Sequence, residues 1–291
     1  MRTVTHQGIT WHDDPNPSEK DLKAIQQRYH FHALDIEDCL SEHERPKIEE
    51  YENYLFLVFH IPYVSGGKPR GRIQKEEVNI FLGEDFIVTL HEGRLPVLDR
   101  IWRQFQESEQ RRQEYLEHGT SFFLYEIMRQ LFEEGFPVVD GIARSLRTIE
   151  ERLFEDEEES DVLREILALK RNIITMRSTL LPQRTLIALL EHKNKKFIPE
   201  NLGIYFDNIL DAIERQWSLL DTAKEMSDAL QGTHESWLSH KTNTVIRILT
   251  IISVTMLPMT FLTGLYGMNV HLPLQDNPYA FVSLVSVMVS V

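Results

Sequence analysis

From residue 248 to residue 275, this 291-residue chain contains no Asp, Glu, Lys or Arg. The first part of that run, ILTIISVTMLPMTFLTGLY, is apolar apart from scattered hydroxyl side chains. A helix needs roughly 20 apolar residues to cross a bilayer. Residues 244–266 therefore read as a transmembrane helix, against the alternative of a helix buried in a soluble core. Lys241 and Arg247 stand at its N-terminal end, and no Lys or Arg follows it. Positive charge stays on the cytoplasmic side, so the bulk of the chain is expected in the cytoplasm, with residues 269–277 outside. The location this implies is the inner (plasma) membrane, with the lipid bilayer as a partner.

The rest of the chain is acidic. Lys and Arg number 31 against 45 Asp and Glu, a formal charge of −14. Such a surface repels nucleic acid and attracts cations, so no nucleic-acid partner is expected. Cys39 is the only cysteine, which excludes an intrachain disulfide and suits a reducing compartment. The N-terminal segment MRTVTHQGITWHDDPNPSEK has no apolar run and does not read as a signal peptide. The histidines are scattered, without metal-binding pairs on one helix. Asp35, Glu37 and Asp38 have no nucleophile beside them. The loop at residues 66–72 lacks the spacing of a phosphate cradle. No enzyme and no organic cofactor is expected.

Residues 1–120 carry mixed α/β signals. Ser18 and Asp21 form a capping-box pattern opening a helix that ends near His30. Residues 54–62 (YLFLVFHIP), 77–82 and 86–91 read as strands, the last two joined as a hairpin by Gly83, Glu84 and Asp85. Residues 95–117 and 121–155 have helical periodicity. An acidic run at residues 155–159 reads as a turn before a helix over residues 161–192, so residues 121–198 form a long helical hairpin. From residue 200 apolar residues recur at spacings of three and four, and no proline intervenes before Pro258. The simplest reading is one very long helix: a stalk over residues 199–243 that continues as the first transmembrane helix over residues 244–269. An extracytoplasmic loop (270–278) leads to residues 279–291, the start of a second membrane helix. Its alternating FVSLVSVMVSV also permits a strand.

One stripe of the span mixes polar and small residues: Asn243, Ile246, Thr250, Ser253, Leu257, Thr260, Gly264 and Gly267 follow steps of three and four. Ordinary packing between helices explains such a stripe, and so does a face turned to a water-filled interior. The end of the span, Tyr266-Gly267-Met268-Asn269, is more specific. Helix C-terminal carbonyls present partial negative charge, and an Asn oxygen adds a neutral acceptor. Mg2+ gives up its waters reluctantly. A ring of neutral oxygens can hold the hydrated ion through those waters without trapping it.

Tyr-Gly-Met-Asn after a span containing Met256-Leu257-Pro258-Met259-Thr260-Phe261 resembles the CorA family of magnesium channels. Phe31 to Leu40 (FHALDIEDCL), Glu44-Arg45-Pro46-Lys47, Tyr51-Glu52-Asn53-Tyr54 and Lys241-Thr242-Asn243 are similar to other segments of that family. The resemblance implies an α+β cytoplasmic domain whose long helices continue into an α-helical membrane domain, assembled as a homopentameric, funnel-like channel. It implies passive transport of Mg2+ (Co2+ and Ni2+ as further cargo), gated by cytoplasmic Mg2+. It places the selectivity mouth at Gly267, Met268 and Asn269, a polar ring at Asn243, hydrophobic constrictions at Leu249 and Leu257, and Thr260 and Gly264 between them. Two departures stand out. The stalk position expected to ligate regulatory Mg2+ is Asn208, leaving Asp207 and Asp211 nearby, and the partner loop at residues 63–67 carries no acid. The outer loop at residues 271–275 lacks the family's Glu, leaving Asp276. The alternatives are a zinc, cobalt or nickel transporter of the same family and a membrane-anchored sensor that carries no ions.

Overall fold

The computed structural model describes residues 1–41, 44–65, 71–116, 118–153, 159–193, 196–270 and 277–290. Residues 66–70 of the glycine-rich loop, 155–158 of the acidic run and 271–276 of the outer loop, Asp276 included, lie outside the described residues. The chain divides into two compact units, Met1–Leu230 and Gln231–Val291.

The first unit is built on a six-stranded sheet in the order β1-β2-β6-β5-β4-β3. Strands β1 (Arg2–His6) and β2 (Ile9–Pro15) form a hairpin around Gln7 and Gly8, whose φ angles of 49° and 85° suit a two-residue turn between right-twisted strands. β2 then pairs in parallel with β6 (Phe86–His91). The pairs among β3 (Lys47–Glu50), β4 (Leu55–Val64), β5 (Ile73–Leu82) and β6 are antiparallel. The expected hairpin is present, closed by Gly83 N–H donating to the Phe86 carbonyl at 2.9 Å. β5 starts four residues earlier than its apolar pattern suggests, because its first half carries Gln74, Lys75 and Glu76. β1 and β3 are the edges of the sheet and only partly buried, so neither has an apolar run to announce it.

β4 explains why YLFLVFHIP is apolar without alternation. Leu55, Leu57, Phe59 and Ile61 face one core, while Phe56 and Val58 face another. A strand covered on both faces loses the period-two signal. The second core lies under α1 (Glu19–Tyr29) and the short α2 (Ala33–Asp38). The capping box is formed as expected, with Ser18 accepting from the Asp21 N–H.

The first core is covered by helices. The expected 95–117 helix is two, α3 (Pro96–Glu107) and α4 (Glu109–Leu116), divided where Ser108 is extended. The expected 121–155 helix is also two, α5 (Thr120–Glu133) and α6 (Gly135–Arg152). Gly135 lies so close to Gln216 that a Cβ there would meet its Oε1 at 2.1 Å. α7 (Glu159–Lys193) and α8 (Gly203–Tyr266) follow, α8 as the single long helix expected. α9 (Ala280–Ser290) is a helix, which decides against the strand reading, and Asn277 Oδ1 accepts from the Tyr279 N–H at its start.

α7 and α8 run antiparallel with a seven-residue repeat. One stripe of buried positions from Val162 to Leu190 on α7, and from Phe206 to Leu230 on α8, alternates in steps of four and three, with Asn172, Thr179, Leu186 and Ala212 buried beside it. Ion pairs join Lys170 to Asp228, Arg177 to Asp221 and Arg184 to Glu214, each at 2.7 Å and each seven residues from the next on both helices.

A polar cluster is buried where β2, β5 and β6 meet. His91 Nε2 lies 3.4 Å from Asp13 Oδ1, and its Nδ1 lies 3.5 Å from Glu76 Oε1. Thr89 and Arg2 also donate to Asp13. Burial alone would push the His91 pKa down, but the carboxylates of Asp13 and Glu76 outweigh it and raise the pKa to about 9. Burial pushes Asp13 up, and the bonds and charges of His91, Thr89 and Arg2 hold it below the usual range. The unfolded histidine titrates near ~6.5. The contribution of His91 to stability is thus complete below that pH and is lost as pH rises to about 9, on the order of 3 kcal/mol. Thermal unfolding of the detergent-solubilised protein is expected to show this alkaline loss, and His91→Gln to flatten it.

Candidate ion pathway on helix α8

The apolar part of α8 is not buried among the described residues. None of its most apolar window is buried, and Ile246, Leu249, Leu257 and Phe261 are each more than half exposed. That excludes the reading of a buried soluble helix. An apolar surface of this length must be covered by lipid or by other helices.

All eight residues of the predicted stripe are exposed. Leu249 borders the stripe, three residues after Ile246 and four before Ser253, and is 62% exposed. The residues of this stretch with reduced exposure include Thr255, Met259, Leu262 and Tyr266. At ~100° per residue they lie about half a turn from the stripe. The polar stripe is therefore exposed, as is most of the span, Ile248 and Ile251 on the far side included; the partial cover falls on the far side of its last turns and is apolar apart from Thr255 and the Tyr266 hydroxyl.

The threonine hydroxyls are committed. Thr250 Oγ1 donates to the Ile246 carbonyl and Thr260 Oγ1 to the Met256 carbonyl, each at 2.8 Å. Thr255 and Thr263 bond back in the same way. Their protons point into the helix, so Thr250 and Thr260 present only oxygen lone pairs along the stripe. At these two levels the stripe offers oxygen acceptors, beside apolar Ile246 and Leu257 and the amide of Asn243. The i−4 carbonyl is available to any threonine in a helix, so the signal was in the sequence, although spacing alone did not reveal it.

At the end of the helix, Gly267 N–H donates to the Thr263 carbonyl at 2.9 Å and Met268 N–H to the Leu265 carbonyl at 3.3 Å. A Cβ on Gly267 would sit 3.0 Å from the Thr263 oxygen, whereas one on Gly264 would meet nothing within 4 Å. Asn269 is exposed, and its side chain has no hydrogen-bond partner among the described residues. The predicted mouth residues are thus consecutive at one helix end, with the last amide exposed.

The model of the family described as CorA-like Mg2+ transporter protein matches residues 6–291. The chain belongs to this family. The cobalt/magnesium transport protein CorA of Thermotoga maritima is 27% identical over 248 residues, covering 85% of this chain and 69% of that one. The complete structure of the CorA magnesium transporter of Methanocaldococcus jannaschii superposes with a TM-score of 0.84 at 20% identity, covering 100% of this chain and 90% of the other. The cytoplasmic domain of ZntB from Vibrio parahaemolyticus matches with a TM-score of 0.58 at 13% identity, covering 81% and 90%. These structures establish a CorA-type fold: an α+β domain whose last long helix carries the apolar stretch.

Within this CorA-type chain the suggested regulatory residues are not gathered into a site. Asp207 and Asp211 are exposed on α8 without an ion-pair partner among the described residues. Asn208 lies near the Tyr125 hydroxyl. Among the described residues no group of three or more His, Cys, Asp or Glu side chains is placed to hold a metal. A groove of about 1070 Å3 at one end of the sheet, lined by His60, Lys75, Glu77, Asn79 and Arg94 among others, contains none of the predicted site residues.

Gly267→Ala tests the mouth directly. Its Cβ presses on a backbone oxygen that cannot move aside freely, a strain of about 1–3 kcal/mol. The variant is expected to keep its helical content by circular dichroism and to lose about tenfold or more of its ion uptake in liposomes.

Proposed function

We propose that this chain is one subunit of a homopentameric channel that carries hydrated Mg2+ passively into the cytoplasm. The observation that carries the reading is the exposed stripe of polar, small and aliphatic residues on an unburied apolar helix that ends in Gly267, Met268 and Asn269. Five copies of that helix around an axis turn the stripe inward and place five Asn269 amides in a ring. The amides and the carbonyls of the helix end hold the ion through its own waters, which spares the dehydration that Mg2+ resists. Asn243 supplies a polar ring at the cytoplasmic end. Leu249 and Leu257 supply apolar constrictions, which gate by expelling water. α9 begins the second span, outside the first.

The driving force is the membrane potential. Moving one charge through 100 mV is worth ~2.3 kcal/mol, so a divalent cation gains ~4.6 kcal/mol. With the N-terminal unit in the cytoplasm, as Lys241 and Arg247 favour, this pulls Mg2+ inward. Binding of Mg2+ between cytoplasmic units closes the channel, and Asp207 and Asp211 are the acids of this chain nearest to such a role. Cobalt is a second cargo, favoured by the cobalt/magnesium relative at 27% identity.

The test is uptake into proteoliposomes under an inside-negative potential, read by an indicator for each metal. The wild type is expected to carry Mg2+ and Asn269→Ala to fall by about tenfold or more, as when one well-placed polar group is lost. Co2+, Ni2+ and Zn2+ are compared under the same potential. Uptake of Zn2+ without Mg2+ would make the chain a zinc transporter, and no uptake of any metal would leave a membrane-anchored sensor.

A further inference from the structure

The groove at one end of the sheet carries chemistry that the ion pathway leaves unused. Part of its wall is the sheet face that also bears the second core. On that face the register sets His60 opposite Glu77, and Asn79 opposite Val58 and Leu90, with Lys75 two residues before Glu77. Phe56 and Phe81 continue the same face into the second core. Along β5 the face thus turns from apolar to polar in the order Phe81, Asn79, Glu77, Lys75. Packing alone gives a strand no reason to enclose such groups.

These polar side chains are largely enclosed. His60 and Asn79 are each 5% exposed, and the Glu77 side chain is 14% exposed. Asn79 Nδ2 donates to Glu77 Oε1 at 2.9 Å. Lys75 Nζ lies 3.4 Å from His60 Nδ1, and His60 Nε2 lies 3.8 Å from Glu77 Oε2. Asn79 Oδ1 is buried and has no hydrogen-bond partner among the described residues. A buried acceptor left alone is costly. The χ2 torsion of asparagine is soft, so a small turn offers this oxygen to the groove that Asn79 lines.

The rim has the opposite character. Arg72 and Lys75 line the groove at exposed positions, and neither has a carboxylate partner among the described residues. Arg94, by contrast, is held by Glu92 at 2.8 Å. Free cations at the rim and acceptors at the floor suit a ligand with an anionic group at one end and an N–H donor at the other. Lys75 and Asn79 are four residues apart on β5, ~13 Å along the strand. That is too long for an amino acid and suits a nucleoside phosphate. A groove of about 1070 Å3 has room for one, and Leu40 and Leu90 give its base an apolar surface.

We propose that this groove binds a nucleoside phosphate whose base carries an exocyclic amine, as adenosine monophosphate (AMP) does. The phosphate sits on Arg72 and Lys75, and the amine donates to Asn79 and Glu77. The site lies wholly within the first unit, so it does not rest on the channel reading.

The test is calorimetric titration of the full chain in detergent, with EDTA present so that no metal bridges the ligand. AMP is expected to bind saturably. Inosine monophosphate, which has a carbonyl oxygen in place of the amine, is expected to bind about tenfold or more weaker, and inorganic phosphate weaker again. Lys75→Met and Arg72→Ala are each expected to weaken AMP about tenfold, while Arg103→Ala, at an exposed position of α3 outside the groove, leaves it unchanged. Asn79→Leu is expected to bring the two nucleotides to the same affinity. Should that buried substitution unfold the chain by circular dichroism, the ratio of the two nucleotides and the rim variants decide. No saturable binding at millimolar AMP overturns the proposal, and so does AMP binding that Lys75→Met and Arg72→Ala leave intact. Equal affinity of the wild type for both nucleotides, or for AMP and inorganic phosphate, overturns it too.

Discussion

An apolar helix left unburied among the described residues sets the terms for the rest of this protein. Lipid offers its backbone no hydrogen bonds, so each N–H and C=O must be satisfied within the helix. The threonines of the span go further and return their hydroxyl protons to the same helix. What remains on one face is a mixture of oxygen acceptors, small residues and aliphatic side chains without formal charge. The other half of α8 solves the opposite problem in water, where a heptad of buried residues and three ion pairs hold it against α7. One helix thus meets two solvents, and its sequence changes character between Leu230 and Arg247.

The sequence was most legible where one physical signal dominated. The charge-free run gave the membrane segment, the spacing of Leu202, Phe206, Ile209 and Ile213 gave the stalk, and Ser18 with Asp21 gave the first cap. It was least legible where burial was partial or structure depended on distant residues. β1 and β3 are sheet edges with alternating Arg, Thr, Lys and Glu, and nothing local marks them as strands. The break between α5 and α6 follows from Gln216 on α8 approaching Gly135, a contact spanning about eighty residues of sequence. No local pattern reports such an approach.

The candidate pathway rests on a different kind of signal from the fold around it. Its stripe is a property of one helix, and helical spacing is visible in a sequence. Which side of its last turns is partly covered is a property of the folded chain. Asp207 and Asp211 show the limit of the method: a nearby acid can be located by spacing, but its partners come from other elements. Gln216 was missed for a related reason: a Gln in a helix reads as surface until its distant partner, here the Phe132 carbonyl, is known.

The parallel pairing of β2 with β6 has a consequence for how the chain is made. It joins residues 10–15 to residues 86–91. The first hairpin therefore leaves the ribosome with one strand edge unpaired, and its partner emerges only after some 76 more residues. At roughly 5–20 residues per second this takes about 4–15 seconds. During that interval β2 offers a row of free backbone donors and acceptors to any strand nearby. Its side chains there include Asp13 and Asp14, and like charges on neighbouring nascent chains repel. Arg2, on the same hairpin, already pairs with Asp13, whereas His91 reaches it only when β6 arrives.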